Sequence, residues 1–312
     1  MNTGSAPTEV LVVGPGAIGC AFAACAMTAG RTVRFAGPTP FSRLDVETPD
    51  GDVGAEVEVA TDPADVRPAP LVLLATKAHQ SEAALDFLRA GLADGGVLGV
   101  LQNGVTHVAR MRSLLDSSLP GAPVAPAVVY CPAERTGPGR VTVTGHSRLT
   151  VPDDDAGRTV AAALAGGHGE VRLSDDWLTA AWTKLMMNTA TGAVAVLARR
   201  DNRVFHDAEA GALALVIMEE VAAVARAEGA VMADDLPARA LVVLREGASD
   251  HMSSIVVDRL AGRATEWRER NLVVVELARR HGIDVPVNRL TTTLLRLGEP
   301  GAAGDRGVPS ES

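Results

Sequence analysis

The sequence predicts an α/β domain built on a parallel sheet, followed by an all-α domain. Three observations carry this expectation. An apolar strand pattern near the N-terminus, Val10-Leu11-Val12-Val13, runs straight into Gly14-Pro15-Gly16-Ala17-Ile18-Gly19 and then into a small-residue helix. Two continuous apolar runs, Leu71 to Ala75 and Gly96 to Leu101, have the length and composition of strands buried on both faces. From Ser174 onward the apolar spacing follows the helical period of about 3.6 residues.

The chain has 312 residues, enough for two domains of ordinary size. Hydrophobic residues make up 47% and aromatics only 3%, so the cores must be assembled from Ala, Val and Leu. The net charge of −9 argues against generic nucleic-acid binding. No apolar run is long and uninterrupted enough to suggest a membrane span. The N-terminal residues lack a signal pattern. The three cysteines, Cys20, Cys25 and Cys131, form no CxxC pair and are expected to be reduced, which places the protein in the cytoplasm. The seven histidines show no metal-ligand spacing, so no metal site is expected.

The glycine sequence has the form G-x-G-x-x-G between a strand and a helix, the context in which that pattern binds dinucleotides. Gly14 permits the tight turn, Gly16 lets a pyrophosphate approach the backbone, and Gly19 lets the helix, read as Cys20 to Ala29, pack closely on the strand. The amides at the helix start favour the phosphates. Gly14, Pro15, Gly16, Ala17, Ile18 and Gly19 are therefore candidate cofactor-binding residues of a Rossmann-type domain. Thr32 to Ala36 reads as the second strand. Gly37-Pro38-Thr39 follows it, where an NAD site would carry a carboxylate for the ribose. That lack favours NADP, with Arg34, Ser42 and Arg43 as candidate contacts to the 2′-phosphate. Each arginine taken singly also reads as a solvated surface residue.

Asp50-Gly51 marks a hairpin turn. Thr76-Lys77 and Gln102-Asn103-Gly104 close the two apolar strands, at the sheet edge where open α/β sheets bind ligands. The bland reading of Asn103 is an Asn-Gly turn. Ala127 to Val151 is read as antiparallel strands closing the domain. The expected boundaries are 1–173 for this domain, 174–298 for the helical one and 299–312 for a disordered tail.

The helical half opens on Ser174-Asp175-Asp176, a helix-start signature. Helices are expected over Trp177–Arg199, Ala208–Glu228, Leu236–Glu246 and Thr265–His281, with a shorter one near Val287–Leu297. The first is apolar nearly all round and carries one ammonium, Lys184; the chain has only two lysines, the other being Lys77. An ammonium can give up its proton, whereas a guanidinium cannot. Asn188, four residues on, shares its helix face. The pair suits a proton donor beside an amide that fixes an oxygen. Taken alone, Lys184 reads as a snorkelling residue at a helix edge. Asn202, Ser254, Glu266 and Asn271 also stand out; singly, they read as caps and surface ion pairs.

Together these pieces resemble the ketopantoate reductase (2-dehydropantoate 2-reductase) family, from about Val10 to Leu295. The residues that carry the resemblance are Gly14-x-Gly16-x-x-Gly19, Thr76-Lys77-Ala78, Leu101-Gln102-Asn103-Gly104, Trp182-x-Lys184-x-x-x-Asn188 and a C-terminal series. That series comprises Ser253-Ser254, Thr265-Glu266, His281-Gly282-Ile283 and Val285-Pro286. The resemblance implies NADPH-dependent reduction of ketopantoate to pantoate, on the route to pantothenate and coenzyme A. It implies that Lys184 is the proton donor, that Asn188 and Asn202 bind substrate oxygens, and that Ser254 binds the substrate carboxylate. Lys77, Asn103 and Glu266 would line the cofactor side, with Glu266 also supporting the charge of Lys184 as part of the catalytic pair. The expected partners are a small 2-oxo acid substrate and a second copy of the chain in a homodimer, a state that no motif in the sequence fixes.

The chain departs from the family pattern at a few positions. Gly192 stands where many members have a second substrate-binding asparagine, and His251 replaces another. Arg268 and Leu272 flank Asn271 where an acidic residue and a glycine are common, and Gly37-Pro38 stands where a phosphate-binding arginine often lies. These leave open two other readings: a reductase of another 2-oxo acid or an imine, and a non-catalytic NADP-binding regulatory protein.

Overall fold

The computed structural model describes residues 7–115, 119–247 and 252–300. The chain forms two compact units, Met1–Ala180 and Ala181–Ser312. In chain order the first contains β1 (Glu9–Val13), α1 (Ala17–Thr28), β2 (Thr32–Ala36), β3 (Arg43–Glu47), β4 (Val53–Glu56), β5 (Val59–Ala60), β6 (Ala69–Leu74), α2 (Leu85–Gly91) and β7 (Leu92–Val100). It continues with α3 (His107–Leu115), β8 (Val124–Pro126), β9 (Val128–Tyr130), β10 (Ala133–Gly137), β11 (Arg140–Val143), β12 (Arg148–Pro152), α4 (Asp155–Leu164) and β13 (Glu170–Ser174).

Six strands form one sheet in the order β5-β2-β1-β6-β7-β8, and every pairing in it is parallel. The strand order reverses beside β1, which makes the carboxyl ends of β1 and β6 the natural ligand position of such a sheet. Both faces are covered. Val10, Val12, Leu71 and Leu73 pack into one core with α1 and α4, while Leu11, Val13, Val72 and Leu74 pack into the other with Leu88 and Met111. Strand alternation delivers successive apolar residues to opposite cores, which is why these strands read as unbroken apolar runs.

The expected strand–turn–helix unit is present, with α1 starting at Ala17 rather than Cys20. The amide of Cys20 donates to the carbonyl of Gly16 at 2.9 Å, so the third glycine already lies inside the helix. The Asp50-Gly51 turn joins β3 to antiparallel β4. The expectation of antiparallel closure over Ala127 to Val151 holds for β10–β11 and β9–β12. However, β11 joins β3 in parallel, and β12 joins β13 in parallel across the helix α4. A helical crossover returns the chain in the same direction, which is what parallel pairing requires.

Cys20 and Cys25 of α1 are free and buried. Burial pushes both thiols up to about 12. Since the thiolate is the nucleophile, neither should alkylate in the native protein. Mass spectrometry after iodoacetamide treatment at roughly neutral pH should find both unmodified when folded and both labelled in denaturant. Labelling of either in the folded protein would contradict this packing.

In the second unit all described elements are helical, and the chain enters it along α5 (Trp177–Ala198). There follow a 3-10 turn (Asn202–His206), α6 (Ala208–Ala227), α7 (Leu236–Glu246), α8 (Ser254–Leu260), a π-helical turn (Arg268–Leu272) leading into α9 (Val273–His281), and α10 (Pro286–Leu297). Gly282 closes α9 in the left-handed region at φ 67°, a conformation that glycine adopts without penalty. At the start of α10, the Glu220 carboxylate accepts from the amides of Val287 and Asn288 at 3.0 and 2.8 Å, groups that no intrahelical partner satisfies.

Glu299 corrects the expectation of a free tail from 299. Its carboxylate accepts from the Thr265 amide at 2.6 Å and the Thr265 hydroxyl at 2.9 Å, beside Arg259 at 3.4 Å. It thereby fixes the residue preceding Glu266. The remainder of that tail, from 301, lies outside the described residues, as does His251. Among the described residues no helix is long and apolar enough to cross a membrane.

Candidate active site

The first unit supplies a dinucleotide cradle. Gly14 leaves β1 with φ 91°, and its amide donates to the carbonyl of Ala36 at 3.0 Å. A Cβ on Gly14 would sit 2.7 Å from the Thr76 backbone nitrogen, so the close approach of the β1 and β6 turns requires glycine. A Cβ on Gly19 would lie 2.4 Å from the Gly14 carbonyl oxygen. Gly16 is different: a Cβ there meets nothing within 4 Å. Its missing side chain leaves space over the start of α1, where no side chain caps the helix and the first turn carries no acid. These are the features a pyrophosphate needs. Pro15 is buried and packs against Gly37, whose Cβ position would come 2.9 Å from Pro15 Cδ.

Lys77 and Asn103 are both half-buried and follow β6 and β7 on the same sheet edge as the glycine turn. A residue that the sequence marks only as part of the Leu101-Gln102-Asn103-Gly104 motif ties their loops together. Gln102 is 3% exposed, and its Nε2 donates to Thr76 Oγ1 and Ser81 Oγ, both at 3.0 Å. Its Oε1 accepts from Arg110 at 2.5 Å, and its carbonyl faces His107 Nε2 at 2.7 Å. A buried amide with both ends engaged holds the two loops in one arrangement.

Arg34 corrects one expectation. Its Nε donates to Glu9 at 2.6 Å, and its terminal nitrogens donate to the carbonyls of Arg67 and Pro68 at 3.0 and 3.3 Å. The guanidinium is consumed by strand ends remote from the glycine turn, so it is not a 2′-phosphate ligand. Arg43 is exposed and paired with Asp45 and Glu56 at 2.9 and 3.4 Å. Ser42 is exposed beside it.

The second unit supplies a polar cluster around α5. Lys184 and Asn188 are half-buried on one face of the helix, flanked by buried Trp182, Leu185 and Met186. Gly192 continues that face one turn on. A Cβ there would lie 2.8 Å from Asn271 Oδ1, so the glycine makes room for the side chain of the π turn. Asn271 is fully buried and donates through Nδ2 to the carbonyl of Thr189 at 3.0 Å. The Thr189 hydroxyl lies 2.7 Å from both the Leu185 and the Arg270 carbonyl oxygens. The wide turn leaves a carbonyl without its usual helical partner, and α5 satisfies it. No periodicity in the sequence announces this π turn.

Glu266 and Ser254 are brought together by a residue absent from the sequence-based candidates. Arg270 Nη2 lies 3.3 Å from Glu266 Oε2 and 3.2 Å from Ser254 Oγ. The side chains of Arg270 and Glu266 are 5% and 9% exposed, so this is a buried pair and not the surface pair that their i,i+4 spacing suggests. Ser254 opens α8 and is exposed. Asn202 begins the 3-10 turn capped by Asp201, and its Oδ1 is buried without a partner, an acceptor awaiting a donor. Hydrogen bonding to Arg203 holds the Asp201 carboxyl below the usual carboxylate range. Among the described residues no cluster of His, Cys, Asp and Glu could hold a metal.

Residues 10–155 match the family described as ketopantoate reductase PanE/ApbA, and residues 176–299 match its C-terminal domain. The chain belongs to the ketopantoate reductase family. It is 37% identical to 2-dehydropantoate 2-reductase of Caulobacter vibrioides, over 92% of this chain and 98% of that one. It is 35% identical to the enzyme of that name in Mycobacterium tuberculosis strain H37Rv, over 94% and 99%. Among solved structures, the PanE/ApbA family ketopantoate reductase from Ralstonia eutropha JMP134 superposes with a TM-score of 0.83 at 31% identity, over 93% and 98% of the two chains. A D-mandelate dehydrogenase determined with NADH shares the fold, with a TM-score of 0.80 at 18% identity over 93% and 98%. As a ketopantoate reductase family member, the chain is an oxidoreductase that takes a nicotinamide cofactor.

Proposed function

We propose that this protein reduces ketopantoate to pantoate with NADPH. The observation that carries the reading is the half-buried Lys184–Asn188 face of α5, in a chain similar over nearly its whole length to enzymes named 2-dehydropantoate 2-reductase. The open backbone at Gly16 fits a dinucleotide pyrophosphate, and Gly14, Pro15, Ala17, Ile18 and Gly19 would shape the rest of that cradle. Lys77 and Asn103 would contact the cofactor from the neighbouring loops.

When bound, the reduced nicotinamide supplies the hydride that goes to C2 of the 2-oxo acid. Lys184 Nζ gives its proton to the ketone oxygen as negative charge develops there, and its ammonium stabilises that charge before transfer. Asn188 and Asn202 orient the oxygens, the unpartnered Asn202 Oδ1 accepting from a substrate hydroxyl. Ser254 donates to the carboxylate. Glu266 favours the charged form of Lys184, so that the proton is present when needed.

The preference for NADPH rests on Gly37-Pro38-Thr39, which puts no carboxylate after β2 to repel a 2′-phosphate. A second reading, reduction of another 2-oxo acid or an imine, is favoured by Gly192, where Asn271 from the π turn occupies the space that a side chain on α5 would need. Oxidation of NADPH and NADH followed with ketopantoate and a panel of 2-oxo acids tests both. Ketopantoate with NADPH should give the highest kcat/KM. Higher values with another oxo acid select the second reading, and tight NADPH binding with no turnover selects a regulatory role. A Staphylococcus aureus ketopantoate reductase of this fold is described as dimeric. We propose a homodimer here as well, which light scattering checks.

A further inference from the structure

We infer that Arg270 is the charged half of the substrate-carboxylate anchor and makes this enzyme select 2-oxo acids over their neutral esters. The inference rests on the reductase reading above and deepens it by assigning a specificity residue. Arg270 is 4% exposed, yet its Nη2 alone accounts for its side-chain hydrogen bonds, to Ser254 Oγ and Glu266 Oε2. Its Nε is buried without a partner. A guanidinium presents its N–H donors as a planar fork suited to bidentate carboxylate binding, and leaving them unused inside a protein is costly. One carboxylate, reached by one nitrogen, does not use that fork.

The hydroxyl of Ser254 supplies a further donor beside the guanidinium. A hydroxyl that accepts from Arg270 keeps its own proton to donate. Ser254 is exposed, so a solute can reach it. An anion seated on Ser254 Oγ would take that proton and sit against the Arg270 fork. The neighbouring Glu266 limits the site to a single negative charge, because it already neutralises part of the guanidinium. The position of Arg270 depends on the π turn: the Thr189 hydroxyl at its carbonyl and the Asn271 amide on α5 hold the backbone from which it projects. Arg270 as a purely structural partner of Glu266 would predict no dependence on substrate charge.

The test compares ketopantoate with its methyl ester in wild type, Arg270→Met and Arg270→Lys, with melting temperature and NADPH binding as checks on folding. Arg270→Met should raise KM for the acid by roughly 10–100-fold, the worth of a hydrogen bond to a charged group. It should change KM for the ester and kcat for the acid much less. Arg270→Lys keeps the charge but loses the fork, and should recover only part of the affinity. An unchanged acid-to-ester ratio of KM in the folded Met variant overturns the inference. Should that variant not fold, an unchanged ratio in Arg270→Lys does the same. Calorimetric binding of oxamate, an inert 2-oxo acid analogue, separates this inference from the reductase reading because it needs no turnover. Binding weakened about tenfold or more in Arg270→Met supports the anchor even in a protein that reduces no oxo acid, and equal binding overturns it.

Discussion

Replacing Lys184 with alanine is expected to lower kcat by roughly 10²–10⁴-fold, the usual contribution of a positioned general acid. The reason is local. Trp182, Leu185 and Met186 bury the helix on either side of the lysine, and no other side chain of α5 is a cation that can release a proton. Water must then supply the proton to a developing alkoxide, with no fixed positive charge to stabilise it. Dinucleotide affinity should be unchanged, since the glycine cradle belongs to the other unit, and kcat and kcat/KM should fall together, the pattern of an interaction made only in the transition state. Lys184→Arg should not rescue turnover, because a guanidinium keeps its proton. Single-turnover reduction of ketopantoate under saturating NADPH measures this directly. A variant whose rate lies within a few-fold of wild type would remove Lys184 from the chemistry.

Much of the scaffold is legible without coordinates because it depends on local rules. The glycine turn is dictated by backbone conformation and by close approach at Gly14 and Gly19, and both leave a mark in composition. The helices α5, α6 and α7 can be read nearly to their ends, since apolar periodicity over many residues is hard to mistake. Several shorter elements cannot. α2, α3, α4 and β13 mix exposed and apolar residues over few turns, and their identity comes from packing on the sheet.

The candidate site is legible where a single residue type is chemically unusual, as with Lys184, and illegible where partners decide. Arg34 sits within the second strand and reads as a phosphate ligand, but Glu9 and two distant carbonyls claim its guanidinium. Arg270 has no reading from the sequence, and only burial pairs it with Glu266 and brings it against Ser254. The π turn that aims Arg270 depends on Thr189, 81 positions earlier, and no local pattern encodes such a contact. Gln102 belongs to the Leu101-Gln102-Asn103-Gly104 motif, but its tie between the two loops depends on Thr76, Ser81 and Arg110, which no local pattern places beside it.

Two glycines of the same turn should fail in opposite ways, and the contrast tests the cofactor assignment. Gly14→Ala forces a Cβ to 2.5 Å from Thr76 Cγ2 at φ 91°. Left-handed backbone strain of about 1–2 kcal/mol and overpacking of about 1–3 kcal/mol should add to a clear drop in melting temperature. Gly16→Val meets no such obstacle, because Gly16 has extended backbone at φ −84° and open space at its Cβ. That variant should melt like wild type. Its side chain would nevertheless fill the space required by the pyrophosphate, and NADPH affinity should fall on the order of 100-fold, or about 3 kcal/mol. Thermal melts and fluorescence titration with NADPH report the two effects separately. If Gly16→Val bound NADPH as tightly as wild type, the phosphates could not lie over residue 16, and the open backbone there would need another explanation than a dinucleotide.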